Sequence, residues 1–162
     1  MGYTTTFVGS FSLDKTLHPV HLAYLKRFSE TRRVKRNADK ASKLPDDVRI
    51  SAELPIGPEG AYFVGSENQF GDDNDDSIVD HNSPPKEQPC LWCQWIPSED
   101  GNSIVWNGGE KFYDYEDWIE YICSNFLQRW GYTLNGRVEW QGECEDDKGV
   151  LTIVDNVLTV ED

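Results

Sequence analysis

The chain has 162 residues, 15 Lys+Arg against 29 Asp+Glu, and a formal net charge of −14. Its length suits one domain with a real core, and 38% hydrophobic with six Trp argues against disorder throughout. No apolar run approaches the roughly 18 residues of a membrane span, and a body this acidic repels nucleic acid and anionic lipid while attracting basic surfaces.

The charge is unevenly placed. Residues 1–25 are neutral, residues 26–43 carry eight bases against two acids, and residues 44–162 carry 26 acids against six bases. The start, MGYTTTFVGSFSLDK, lacks the charged and apolar regions of a secretory signal, which predicts a cytoplasmic protein.

Tyr3, Thr5, Phe7, Gly9, Phe11 and Leu13 alternate with Thr4, Thr6, Val8, Ser10 and Ser12 and predict a half-buried strand. Pro19 opens a helix whose apolar stripe is Val20, Tyr24, Leu25 and Phe28. Residues 32–89 are broken by prolines and glycines and predict an irregular, partly mobile insert, with one strand at Ala61–Val64. Leu91, Cys93 and Trp95 alternate as a strand, and Glu99-Asp100-Gly101-Asn102 turns it into a hairpin with Ser103–Trp106. Asp114 is placed as the N-cap of a helix over Tyr115–Trp130, with Trp118, Ile122, Phe126 and Trp130 on the core side and Gly131 as its stop. Strands near Val138–Trp140 and a last hairpin through Asp155-Asn156 complete the chain.

This order predicts an α+β two-layer sandwich over residues 1–162 as a single domain. Its sheet would be antiparallel-dominated, with two helices on one face, in a ferredoxin-like split βαβ arrangement carrying the insert at 32–89.

The runs GYTTTFVGSF, ETRRVKR, LWCQW, GGEKFYDYEDWIEY and WGYTLNGRVEWQGE resemble a family of uncharacterised bacterial and phage proteins. The resemblance covers most of the chain. It implies a shared fold and a bacterial or viral cytoplasmic setting, and it supplies no catalytic residue.

Catalytic and metal motifs are absent from the sequence. Cys90 and Cys93 form one Cys-x-x-Cys, but Cys123 and Cys144 do not form the second pair a zinc site needs, so four reduced thiols are expected. The acidic run aligned from Asp72, Asn74 and Asp76 as a calcium loop puts Ser77 where Gly is required and Ser83 where Glu is required. Asp80-His81 is a single loop dipeptide, and no nucleophile elbow, phosphate loop or dinucleotide motif occurs. No cofactor is expected.

Two surfaces remain. Asp114, Glu116, Asp117 and Glu120 gather at one helix end and, with Trp92 as an exposed aromatic anchor, suit a basic partner. The expected role is a non-enzymatic interaction protein, an inhibitor or counter-defence protein acting on a nucleic-acid-binding protein, with no direct nucleic-acid or membrane binding. The alternative is a nucleotide or phosphate ligand held by Arg32, Arg33, Lys35 and Arg36, since guanidinium forks match single phosphates; the competing role for that segment is internal counter-charge to the insert's carboxylates.

Overall fold

The computed structural model describes residues 2–65 and 75–162, so Asp72 and Asn74 of the acidic run lie outside the described residues. In chain order the elements are β1 (Thr6–Leu13), α1 (Pro19–Glu30), β2 (Lys35–Arg36), α2 (Ala38–Ala41), α3 (Asp47–Ser51), a 3₁₀ turn (Pro58–Gly60), β3 (Ile78–Asp80), β4 (Trp95–Pro97) and β5 (Ser103–Trp106). Next come α4 (Tyr115–Ile122), a π-helical turn (Cys123–Leu127), α5 (Gln128–Trp130), β6 (Leu134–Gln141), β7 (Lys148–Val154) and β8 (Val157–Glu161). The chain forms two compact units, one of Met1–Leu17 with Gln94–Asp162 and the other of His18–Cys93. No helix among the described residues is long and apolar enough to cross a membrane.

The first unit is built on a six-stranded sheet in the order β4-β5-β1-β6-β7-β8, every neighbouring pair antiparallel. Strands β5 and β6 are both antiparallel to β1, so they run parallel to each other with β1 between them, and the helix α4 connects them. Likewise β1 and β4 flank β5. This is the expected split βαβ order, extended at one edge by β7 and β8. Alternation decides the faces. Phe7, Phe11, Leu134, Val138, Leu151 and Ile153 are buried, while Val8, Glu139 and Val154 on the reverse pleat are exposed or nearly so. Trp140 lies across Gly149, its cross-strand partner; a Cβ there would fall 2.2 Å from the indole. Gly9 and Gly136 have φ of +115° and +150°, and a Cβ on Gly136 would sit 2.8 Å from Phe11 Cα, so the β1–β6 pair closes only with glycine at these positions.

The helix over 115–130 fits the sequence pattern with one departure. Trp118, Ile119, Ile122, Phe126 and Leu127 are buried, but the π turn inserts a residue and rotates the last helical turn, leaving Trp130 half-buried and stacked on Phe126 at 5.8 Å. Ser124 Oγ and Asn125 Nδ2 donate to the carbonyls of Glu120 and Tyr121 beside the irregular turn. Leu91 and Cys93 keep the in–out alternation of a strand, yet the strand itself begins at Trp95.

The second unit contains the stretch expected to be an irregular insert, together with α1. Pro19 follows the N-cap His18, whose Nδ1 accepts from Val20 N at 3.2 Å, and α1 buries Tyr24, Leu25 and Phe28. Ala61–Val64 is buried but is not a strand. Its backbone is met by other groups: Tyr24 Oη donates to Tyr62 O at 2.8 Å, and Asp46 Oδ1 accepts from Val64 N and Gly65 N. Asp46 Oδ2 accepts from Arg49 Nε at 2.5 Å, and Arg49 Nη1 caps Leu54 O at 2.7 Å. Polar side chains therefore replace the sheet ladder that the sequence pattern suggests here.

Candidate docking site

The acidic end of α4 is set by the loop that enters it. Gln94 accepts from Trp106 Nε1 at 3.1 Å and donates to Glu110 O at 2.8 Å, and Phe112 is buried with its ring 5.3 Å from Trp95 and 5.8 Å from Phe7. Asp114 then occupies the N-cap position with φ of +56° and makes no side-chain cap bond; its carbonyl accepts from Trp118 N at 2.9 Å. The expected capping carboxylate is thus a left-handed turn residue, and its side chain faces solvent. Trp95 Nε1 donates to Tyr115 O at 2.9 Å and pins the first turn to β4.

Asp114, Asp117 and Glu120 are exposed, and Glu116 is half-buried. Burial pushes the Glu116 carboxyl above its ordinary range, and the charges of Asp117, Asp162, Glu120 and Asp114 push it further. Burial raises the Tyr115 phenol to about 12, helped by Glu116, Asp147, Tyr3 and Asp162. Asp147 and Asp162 therefore belong to the same electrostatic neighbourhood, which the sequence pattern alone did not reveal. Asp147 is held by Tyr3 Oη, which donates to it at 2.5 Å, and by Trp140 Nε1 at 3.4 Å. The available signal was the run Glu143-Cys144-Glu145-Asp146-Asp147, in a turn between two strands. Nearby, Thr6, Val8, Gln141, Val150 and Asp162 line a shallow groove of about 400 Å³.

Trp92 lies in the other unit, 39% exposed, with its carbonyl accepting from Cys90 Sγ at 3.5 Å. The four helix acids and the aromatic anchor are thus features of separate units.

The basic segment is engaged inside its own unit. Arg33 is 2% exposed, donates to Ala61 O at 3.0 Å and Phe63 O at 2.7 Å, and lies 4.2 Å over the Phe28 ring. Arg36, 4% exposed, meets Asp75 at 3.1 Å and stacks on Phe63. Lys35 pairs with Glu59 at 3.5 Å, and Arg32 Nε donates to His81 O at 3.1 Å. Lys35 and Arg36 thus meet carboxylates, as the counter-charge role has it, whereas Arg32 and Arg33 bond backbone carbonyls instead; neither the groove above nor the one between α1 and α3 is lined by any of the four.

Two buried cysteines and one carboxylate are constrained. Cys93 and Cys123 are buried, and burial and then Glu120 raise the Cys123 thiol to about 12, so it is not a thiolate at neutral pH. The Asp80 carboxylate accepts from Asn82 N and Ser83 Oγ, which lowers its pKa and makes it a poor base. No protein-family model matches this chain, and neither do any curated protein or solved structure.

Proposed function

We propose that the protein is a non-enzymatic docking protein whose acidic surface, centred on the start of α4, binds a basic partner surface, and that the partner is a nucleic-acid-binding protein it inhibits. The observation that carries this reading is the gathering of exposed Asp114, Asp117 and Glu120 with half-buried Glu116 at the start of α4, beside β8; burial and then the charges of these acids and Asp162 push Glu116 upward. Uncompensated like charge costs stability, and a basic partner relieves it. Charge placement adds support: among the described residues three arginines, Arg33, Arg36 and Arg49, are buried and one acid, Asp46, so the described solvent-facing residues are more acidic than their net charge states. A fixed array of carboxylates can occupy a groove built for phosphates, which in duplex DNA supply one charge per about 1.7 Å of axis. The bacterial or phage setting implied by the resemblance suits a counter-defence role.

The test is capture of the partner from the native host, followed by association kinetics from low to high salt. Wild type should associate more slowly as salt rises, because screening acts over about 8 Å at physiological ionic strength. The variant Asp114→Asn, Glu116→Gln, Asp117→Asn, Glu120→Gln should associate slowly at all salts. Salt-independent binding, or a variant as fast as wild type, rejects this face.

A further inference from the structure

We infer that the free edge of β8 is where an extended, basic segment of the partner adds a seventh strand to the sheet. The inference rests on the docking reading above and names the form the partner takes. The six-stranded sheet has two edges. The β4 edge is three residues long and ends in Pro97, a blunted edge. The β8 edge is five residues, Val157–Glu161, with no proline, glycine or basic residue. Its one charge is the terminal Glu161, and Val157 and Val160 are 65% and 38% exposed.

The turn before β8 fixes which backbone groups face outward. Asp155 and Asn156 have φ of +49° and +69°, a two-residue mirror-image turn, so Val154 and Val157 close it as a hydrogen-bonded pair. Hydrogen-bonded pairs then alternate, making Thr152–Thr159 and Val150–Glu161 the next two. Leu158 and Val160 consequently turn their N–H and C=O groups away from β7. The turn is anchored, since Asn156 N donates to Leu134 O at 3.0 Å and Asp155 N to Asn135 Oδ1 at 2.9 Å, so the edge is presented in one conformation.

Charge selects the occupant. The edge ends in Glu161 and Asp162, α4 is a neighbour of β8, and Asp162 acts on Glu116. A strand running antiparallel to β8 would place its leading residues beside these acids, where lysine or arginine is favoured, and apolar residues opposite Leu158 and Val160. A second copy is disfavoured, because two chains of net charge −14 would meet edge to edge.

The probe is a capped nine-residue peptide of alternating lysine and valine, with the same peptide N-methylated at every amide as control. N-methylation keeps the charge and removes strand pairing. Val160→Pro deletes an outward N–H at an edge position where proline is tolerated. Wild type should bind the plain peptide, with at least a tenfold loss on N-methylation and again in Val160→Pro at unchanged melting temperature. If both peptides bind alike and Val160→Pro binds as wild type, or if wild type binds neither, edge addition is overturned. Should Val160→Pro fail to fold, the two peptides decide alone. The quadruple helix variant separates the readings: loss there without loss in Val160→Pro leaves docking standing and removes the edge, and the reverse removes the helix face and keeps the edge. A wild-type dimer in sedimentation that Val160→Pro dissolves would assign the edge to a second copy and overturn the proposal.

Discussion

Asp114 turns the chain into α4 with its backbone, at φ +56°, and not with its carboxylate. For a residue with a Cβ this conformation costs roughly 1–2 kcal/mol, which glycine avoids. Asp114→Gly should therefore hold or raise the melting temperature, whereas a loss of about 1 kcal/mol would show that the carboxylate caps the helix after all. Phe126 is the opposite case, a side chain with no exposed surface, edge-on to Tyr121 at 5.8 Å and stacked on Trp130. Phe126→Ala should cost about 3–5 kcal/mol in urea unfolding, because a cavity of that shape cannot collapse between rings. His21 gives a pH signature. Burial, then the adjacent His18, lowers its pKa, with Glu53 opposing. The folded state then binds fewer protons than the unfolded one, so this contribution is complete above the ordinary histidine value of about 6.5 and is lost as pH falls below it. His21→Gln should flatten the stability profile in that window; an unaltered profile would discount the shift.

At the scale of elements, the segment from Arg32 to Arg36 is a set of internal struts. Lysine at Arg33 cannot fork to the carbonyls of Ala61 and Phe63 while covering Phe28. Arg33→Lys should cost about 3 kcal/mol, read as faster amide exchange in His18–Cys93, and protection equal to wild type would mean those carbonyls find other donors. This segment also shows where the sequence was legible. Periodicity located β1, α1, the helix over 115–130 and both hairpins, because each buries one face and repeats every two or 3.6 residues. The stretch between α1 and β4 has no such period. The order of its described residues comes from Asp46, Arg33, Arg36 and Arg49 reaching loop backbone and side chains, contacts that periodicity does not encode. The π turn was equally hidden, since a single inserted residue leaves the apolar spacing nearly intact and shows only in Trp130. Of the candidate site, the four helix acids were readable from their spacing. Asp147 and Asp162 were not, since only the folded sheet brings them into the neighbourhood of α4.

At the scale of the whole molecule, described acids whose pKa is shifted act on stability in two opposite directions. Asp75, Asp80 and Asp100 accept hydrogen bonds from nearby Ser and Asn groups, and each has a lowered pKa; for Asp75, burial opposes the shift and the bonds from Ser77 and Arg36 outweigh it. Their contribution is present above the ordinary carboxylate range and is lost as pH falls through their folded values, so they favour folding less in acid. Glu116 is shifted the other way, by burial and by four neighbouring carboxylates. The folded protein holds its proton more tightly than the unfolded chain does, so Glu116 favours folding at low pH and opposes it once pH rises through its folded value. Glu116→Gln should consequently be more stable than wild type at pH 7 in low salt. The gain should shrink on adding salt, which screens Asp117, Asp162, Glu120 and Asp114, and should vanish near pH 3, where the wild-type carboxyl is itself neutral. Thermal melts across pH and salt test this. Equal stability of the two proteins at pH 7 and low salt would mean that neither burial nor the neighbouring carboxylates disfavour the Glu116 charge, and it would remove the repulsion invoked for the docking surface. A stabilised variant that also loses the basic partner would show that the chain carries this repulsion for binding.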